Sequence, residues 1–349
     1  MRRILVGMAV VLLFTGILNL VPTSYSTCGK PKIRNIVVPR DYQSIQKAID
    51  SASQGDTIFV RKGIYCENLV VNKTVSLVGQ GKEATIVDGG RVGNVVEVKA
   101  DNVKIAGFTI RNSGRESEPQ SIGILLNNSK HCSFRNIYLV GNNIGMWLSH
   151  ADNNQILEIM ADSNTEASMV LFSSYMNSVT ESLFVNSTGH VVVHDSQHNF
   201  VAYNTMTSST FGLLLYNSSR NLVFKNVFRS SWSAMSFEDQ SDMNKVIENR
   251  VLDSQHGIVM ISSSGNIVYH NGFCNNPIQA SSAGCFNIWD NGYPCGGNYW
   301  SDYTGVDLCR GPYQNRTGRD GLGDTPYTID AFSVDRYPIL RHSRARVHI

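Results

Sequence analysis

The middle of the chain repeats one pattern of apolar and polar residues every 22 or 23 positions. Between the repeated positions, short runs rich in β-branched residues are separated by Asn, Ser and Gly, which is typical of strands and turns. Three short strands and three turns in each repeat predict one coil of a parallel β-solenoid. The column that keeps this step most clearly consists of Asn154, Asn177, Asn199, Asn221, Asn244 and Asn266.

These recurring asparagines are predicted to be structural. An asparagine tolerates the left-handed backbone of a tight turn, and its amide can donate to one stacked neighbour and accept from another. Aspartates in the same place would put like charges about 5 Å apart along the whole stack, which is destabilising. We therefore expect ladders of stacked asparagines and give them no catalytic role.

The segments on either side of the repeats predict caps. Residues 42–53 place Ile45, Ala48, Ile49 and Ala52 on one face of a short helix, which suits the lid of an open solenoid core. The expected boundaries are a β-helix over 36–285, a loop-rich C-terminal cap over 286–340 and a basic tail over 341–349.

The N-terminus has the pattern of an export signal. Arg2 and Arg3 precede an apolar run from Ile4 to Leu20, and small residues follow that run. Residues 1–26 are therefore predicted to be a cleaved signal peptide, with an uncleaved anchor as the alternative. No second long apolar run follows, so we expect no stable membrane span after cleavage and a secreted, cell-surface or periplasmic location.

Composition narrows the classes of partner. Lys and Arg number 30 and Asp and Glu number 28, so the chain lacks the basic surplus that nucleic-acid binding requires. Seven cysteines suit an oxidising compartment. We expect Cys66 and Cys132 to be buried thiols. Four others, none in a Cys-x-x-Cys pair, predict two local disulfides; they are Cys274, Cys285, Cys295 and Cys309.

One strand of each coil offers a candidate binding face. Strand alternation places outward the side chains of Trp147, Phe172, His194, Tyr216 and Phe237. Such apolar surface marks contacts, and these rings could stack on sugars while His194, Asp195 and Asp239 bind hydroxyl groups. The alternative is that the inserted loop at 112–120 or the chain after Asn276 covers this face.

His194, Asp195 and Asp239 are also the candidate catalytic residues. A polysaccharide lyase needs a base together with a cation that neutralises the substrate carboxylate. The predicted outward face supplies no Arg or Lys beside these residues. We therefore rank catalysis behind binding.

Four carboxylates in the C-terminal part are the candidate metal ligands. Asp302, Asp307, Asp320 and Asp324 lie among Gly and Asn, and hard oxygen ligands of this kind suit Ca²⁺. The alternative is that their side chains accept hydrogen bonds from the backbone of turns.

Two stretches resemble a known superfamily. Tyr-x-x-Ile-x-x-Ala-Ile from Tyr42, followed by Gly-Asp-Thr-Ile, Gly-x-Tyr and Val-Gly-x-Gly, resembles the N-terminal cap of pectin-lyase-like β-helices. Gly-Asn-Tyr-Trp-Ser-Asp-Tyr from Gly297, with Asp320–Tyr327 and Asp335–Pro338, is similar to the end of NosD-type proteins. The resemblance implies a right-handed parallel β-helix, a scaffold that carries lyases, hydrolases, esterases, epimerases and non-enzymatic modules.

The sequence thus predicts an exported, single-domain, all-β protein that binds a polysaccharide or cell-surface glycan through the outward aromatic face. A polysaccharide-modifying lyase, hydrolase or epimerase is the alternative. A structural or copper-accessory role, which the NosD resemblance implies, comes third. Copper sites need clustered His, Met or Cys, whereas the histidines of this chain are scattered over different columns.

Overall fold

The computed structural model describes residues 33–114 and 121–340. The predicted signal peptide, most of the predicted loop and the basic tail lie outside the described residues. Within them the chain is nearly all β, with one α-helix, and successive coils pair in parallel. The predicted parallel β-helix is confirmed.

Each regular coil contributes strands to three faces. Face 1 consists of Leu69–Val71, Val96–Val98, Ile122–Asn127, Ile144–Ser149, Ala167–Phe172, Gly189–His194, Phe211–Tyr216, Ser233–Glu238, His256–Ile261 and Ile278–Ser281. Face 2 consists of Asn35–Val38, Thr57–Val60, Ser76–Gly79, Lys104–Ala106, Ser178–Thr180, Phe200–Ala202, Leu222–Phe224, Lys245–Ile247 and Ile267–Tyr269. Face 3 consists of Gly63–Cys66, Thr85–Asp88, Thr109–Arg111, Leu183–Val185, Thr205–Thr207, Val227–Arg229, Arg250–Leu252, Gly272–Cys274 and Tyr299–Trp300. Two longer strands run through both faces 2 and 3, Ser133–Val140 and Gln155–Asp162.

The core fills the inside of the coils. Strands of face 1 pair in register, so equivalent side chains stack directly above one another. One inward column is fully buried, as predicted; it consists of Ile124, Met146, Met169, Val191, Leu213 and Ile258. The period of two along each strand leaves the alternate side chains on the outer surface.

Buried asparagines connect one coil to the next. The main-chain N of Asn177 donates to Oδ1 of Asn199 at 2.9 Å, and Nδ2 of Asn177 donates to the same oxygen at 3.2 Å. The same Nδ2 also donates at 2.9 Å to the carbonyl of Ala151, one coil earlier. The Oδ1 of Asn177 in turn accepts from the main-chain N of Asn154 at 2.9 Å. Each amide therefore satisfies a backbone donor and a backbone carbonyl of the preceding coil and donates to the asparagine of the next, which confirms the predicted structural ladder.

The predicted backbone conformation of the ladder is wrong by one residue. The left-handed conformation is adopted by the residue directly before each ladder asparagine; these residues are Asn153, Met176, His198, Arg220, Met243 and Gly265. A left-handed residue bends the chain sharply, and the asparagine that follows is buried in the coil. The side chain of the left-handed residue is thus free to vary, whereas the asparagine is repeated.

A helix closes the N-terminal end. It spans Ile45–Ser51, inside the predicted segment, and its Ser44 cap accepts a hydrogen bond from the main-chain N of Lys47. The buried side chains of Ile45, Ala48 and Ile49 belong to the same apolar core as the coils. The predicted lid is therefore present.

Two short antiparallel hairpins lie in the C-terminal cap. They pair Cys309–Arg310 with Arg316–Thr317 and Tyr327–Thr328 with Val334–Asp335. Trp300 is buried and stacks between Phe273 at 4.6 Å and Tyr327 at 4.3 Å. The cap thus continues the apolar core.

Asp335 terminates one of the polar ladders. Its Oδ2 accepts hydrogen bonds from the main-chain N of Asn298 at 2.7 Å and from Nε1 of Trp300 at 2.9 Å. Asn298 in turn accepts from Asn271. Burial of Asp335 raises the pKa of its carboxyl to about 7.

The carboxylates predicted to bind calcium instead hold the backbone of the cap. Asp307 accepts from the main-chain N of Asp320 and Gly321, and Asp324 accepts from Leu308 and Cys309. Asp320 accepts from Gly311, and Asp302 accepts from the Tyr327 hydroxyl. Among the described residues no three His, Cys, Asp or Glu side chains group closely enough to hold a metal ion. These contacts are those of turn capping, the alternative expected from the sequence.

The six cysteines within the described ranges are free thiols, so the two expected disulfides are not formed there. Buried serines also stack from coil to coil, with the main-chain N of Ser241 donating to Oγ of Ser263. Cys285 ends this row, because the main-chain N of Ser263 donates to its Sγ. Cys66 is exposed, contrary to expectation, whereas Cys132 is buried as expected. Burial raises the pKa of the Cys132 thiol to about 11.

No helix within residues 33–114 and 121–340 combines the length and the hydropathy needed to cross a membrane.

Replacing Asn221 with Ala should destabilise the fold strongly. The change removes the acceptor of the Asn199 main-chain N and leaves the Ser196 carbonyl without its donor. We expect the free energy of unfolding to fall by about 3 kcal/mol, measured by chemical denaturation. Asn315→Ala, at an exposed position, is the matched control and should change it by less than about 0.5 kcal/mol. Equal stability of the two variants would contradict the ladder's structural role.

His190 should make stability depend on pH. Its ring is buried, with Nε2 at 2.8 Å from the Thr207 carbonyl, and burial lowers its pKa from 6.5 to about 4. Because the unfolded chain takes up this proton near pH 6.5 and the folded chain does not, stability falls as pH decreases through this window.

The loss attributable to His190 between pH 7 and 4 is at most about 3 kcal/mol. His190→Gln should remove that part of the dependence, measured as the difference in unfolding free energy between the two proteins at each pH. Asp335 has the opposite effect, because its raised pKa of about 7 makes stability rise as pH decreases. This contribution is the same in both proteins and cancels in the difference. Parallel pH profiles for the two proteins would refute this assignment.

Calcium removal should leave thermal stability unchanged, because the cap carboxylates are already engaged with backbone donors. A site occupied at a hundred times its Kd would contribute about 3 kcal/mol, which a melting curve resolves readily. The measurement compares Tm in EDTA with Tm in added calcium. A clearly higher Tm in calcium would show that these carboxylates rearrange around the ion.

Candidate functional site

A row of stacked rings runs across four coils on the outer surface of face 1. It consists of Trp147, Phe172, His194 and Tyr216, and we call it the aromatic ladder. Ring centroids are 6.3 Å apart for Trp147 and Phe172, 5.3 Å for Phe172 and His194, and 4.9 Å for His194 and Tyr216. The last two rings are within 14° of parallel. Four of the five predicted ligand-binding residues are therefore brought together.

Strand register explains this alignment. Phe172 pairs with His194, and His194 pairs with Tyr216, so the three rings follow one another at equivalent positions. In the preceding coil that position is Ser149. Trp147, two residues before Ser149 on the same side of its strand, reaches Phe172 diagonally.

A small apolar cluster anchors one end of the aromatic ladder. Ile122, Ile144, Ala167 and Val170 are buried in a group separate from the core of the coils. Trp147 and Phe172 pack against this group and are half-buried. The two rings are thus held in place by packing while part of each remains accessible.

Phe237 does not belong to the site. It pairs with Leu215 and is fully buried in the core, and Ser236 takes the position of its strand that pairs with Leu214. Met235 pairs with Leu213 of the inward column, so the outward position of this strand is Ser236, and the predicted column is one residue too far along.

The same error affects the carboxylate expected two positions later. Glu238, and not Asp239, pairs with Tyr216. Asp239 follows in a left-handed turn with φ 49°. Glu238 is not among the candidate site residues predicted from the sequence, and the alignment of Met235 with the inward column is the signal that points to it.

Carboxylates surround the Tyr216 end of the ladder. Oδ2 of Asp195 lies 3.0 Å from Nδ1 of His194, and Oδ1 of Asp195 accepts from Nδ2 of Asn217. The nearby carboxylate of Asp239 raises the pKa of the Tyr216 phenol, and Asp195 and Glu238 act in the same direction through their charge. The three candidate catalytic residues, His194, Asp195 and Asp239, therefore lie together at this end.

Basic side chains are missing from the strands that carry the ladder. The seven six-residue strands of face 1 between residues 122 and 261 contain neither Lys nor Arg. Two basic residues lie in the turns after these strands: Lys130 forms an ion pair with Asp152 at 3.0 Å, and Arg220 contacts Gln197 at 3.4 Å. The strand surface itself offers no cation to neutralise a substrate carboxylate, as a lyase would require.

Solved structures of other proteins, among them an epimerase module and a tailspike protein, share this architecture. The A-module of the mannuronan C-5 epimerase AlgE4 of Azotobacter vinelandii aligns with a TM-score of 0.55 at 14% identity, over 69% of this chain and 78% of that one. The Dettilon tailspike protein aligns with a TM-score of 0.53 at 11% identity, over 76% of this chain and 66% of that one. At these identities the likeness shows a shared β-helix fold and nothing more.

Two curated relatives match shorter parts of the chain. A cell surface glycoprotein of Methanothermus fervidus is 36% identical over 84 residues, which is 24% of this chain. A probable pectinesterase, number 67, of Arabidopsis thaliana is 31% identical over 120 residues, which is 28% of this chain. The matches span only 14% and 35% of the length of these two relatives.

A family model described as periplasmic copper-binding protein (NosD) matches residues 102–305. Protein copper sites are built from clustered imidazole, thiolate or thioether ligands. The part of the chain that the structure describes holds no group of three His, Cys, Asp or Glu side chains able to bind a metal, so it does not fit a copper site built from imidazole and thiolate ligands. The match itself covers more than half of the 349 residues, and the chain therefore belongs to the NosD family of parallel β-helix proteins.

Proposed function

We propose that this protein is an exported β-helix that binds a polysaccharide or cell-surface glycan through the aromatic ladder. The observation that carries the proposal is the row of four rings on one outer face, held in register by the pairing of the strands. A sugar ring presents an apolar face of C–H groups, which packs favourably on an aromatic ring. A row of such rings therefore suits a linear chain of sugars.

The packing of the ladder favours binding. Trp147 and Phe172 are already held against the apolar cluster behind them, so little side-chain freedom is lost when a ligand is bound. His194 and Asp195 lie beside the rings and supply hydrogen-bonding groups for hydroxyls. Rigid aromatic surface with a few polar partners is typical of ligand sites.

The comparisons support the location and the ligand class. The family description places its members in the periplasm, and one relative is named a cell surface glycoprotein. Another relative is named a probable pectinesterase, an activity on a polysaccharide. Both names are consistent with an exported protein that meets glycans.

Trp147→Ala and Tyr216→Ala should each weaken glycan binding by about tenfold or more, because each removes one stacking ring from the ladder. The measurement starts with a glycan array on the purified protein and continues with titration calorimetry on the glycan that binds best. Tyr313→Ala, at a side chain 83% exposed in the C-terminal cap, is the matched control and should bind as the unmodified protein does.

Melting curves establish that each variant is folded before its affinity is compared. Two outcomes would overturn the proposed function. One is that no glycan on the array binds the unmodified protein. The other is that both ladder variants keep full affinity for the glycan that does bind.

A further inference from the structure

Three carboxylates lie around the Tyr216 end of the aromatic ladder. Asp195 has 36% of its side chain exposed, Glu238 is partly exposed and Asp239 is exposed. Asp195 lies beside His194, Glu238 pairs with Tyr216 in the next strand and Asp239 follows Glu238, so all three lie at the Tyr216 end of the ladder. Any sugar that stacks on Tyr216 therefore approaches three carboxylates.

These carboxylates have neutral partners. Asp195 accepts a hydrogen bond from the Asn217 amide, and Glu238 accepts one from the Ser236 hydroxyl at 2.7 Å. Two rings of the ladder are themselves titratable, the imidazole of His194 beside Asp195 and the phenol of Tyr216. None of the three carboxylates forms an ion pair with Lys or Arg in the described part of the chain. Their negative charge is thus available to a ligand.

We propose that the ladder binds a polysaccharide that carries protonated amino groups, such as a glucosamine polymer, and discriminates against uronic-acid polymers. The inference rests on the proposed function, since it names the ligand class of that same site. The stacked rings supply the surface for the sugar rings, and the carboxylates supply the charge complementarity for ammonium groups.

The charge acts through attraction and repulsion together. The attraction between an ammonium group and one exposed carboxylate a few ångströms away is modest, because water screens it. Three carboxylates around one subsite add their attractions. A uronate at the same subsite meets the same carboxylates as like charges and finds no strand Lys or Arg to compensate. Affinity should therefore follow the order amino sugar, uncharged sugar, uronic acid.

The test compares three hexasaccharides on the full mature protein: β-1,4-linked glucosamine, its N-acetylated form and galacturonic acid. Titration calorimetry is carried out at low salt, at a pH where the amines are protonated and the carboxylates ionised. We expect glucosamine hexamer to bind about tenfold more tightly than the N-acetylated hexamer, and galacturonate hexamer more weakly than both.

The double variant Glu238→Gln with Asp239→Asn should lower the ratio of glucosamine to N-acetylglucosamine affinity toward one. Glu83→Gln, an exposed carboxylate outside face 1, is the matched control and should leave that ratio unchanged. If the double variant fails to fold, the salt dependence of the unmodified protein gives the same information, because screening should reduce the ratio as ionic strength rises.

The outcomes separate the two proposals. Ladder-dependent binding of galacturonate that equals or exceeds that of glucosamine would overturn the charge inference and leave the proposed function standing. A ratio near one that salt does not change would overturn it as well. Failure of all three hexamers and of every glycan on the array would overturn both.

Discussion

The structure depends on a single constraint, which is that every coil must stack on the next in strict register. Buried asparagines impose it, because each amide satisfies backbone groups of the coil before its own and donates to the asparagine of the coil after it. A coil that slipped by one residue would leave several buried polar groups without partners, at a cost of about 1 to 3 kcal/mol each. The same register lines up Phe172, His194 and Tyr216 on the outer surface. The register that the buried asparagines impose thus also aligns the rings of the candidate site.

Much of the fold could be predicted because its information is periodic. A step of 22 or 23 residues in the asparagine column determines which positions stack, and the inward column at Ile124 and Met146 followed from strand alternation. The errors arose where periodicity gives no information. The position of Phe237 depends on the register of one coil, in which Met235 continues the inward column and Ser236 faces out. The left-handed residue precedes the asparagine, and its variable identity, from Met176 to Arg220, hides that position in the sequence.

The candidate site could be predicted only in part. Aromatic residues on one face were visible from the sequence, but their spacing in space, and the burial of Trp147 and Phe172 against a second cluster, depend on packing between coils. Acidic residues posed a different difficulty. Asp307 and Asp324 look like calcium ligands by composition, whereas their oxygens accept hydrogen bonds from the backbone of the cap. Composition gives the chemistry that a residue can perform, and only geometry shows what it contacts.

Family membership gives the architecture, and the surface of this particular chain gives the chemistry. The family description names copper binding, whereas the outer surface of face 1 in this chain carries aromatic rings and carboxylates. The most direct measurement is a crystal structure of the protein with a glucosamine hexasaccharide. The account predicts sugar rings stacked over Trp147, Phe172 and Tyr216, with amino groups directed at Asp195 and Glu238. An oligosaccharide bound elsewhere, or a ladder covered by another part of the protein, would contradict it.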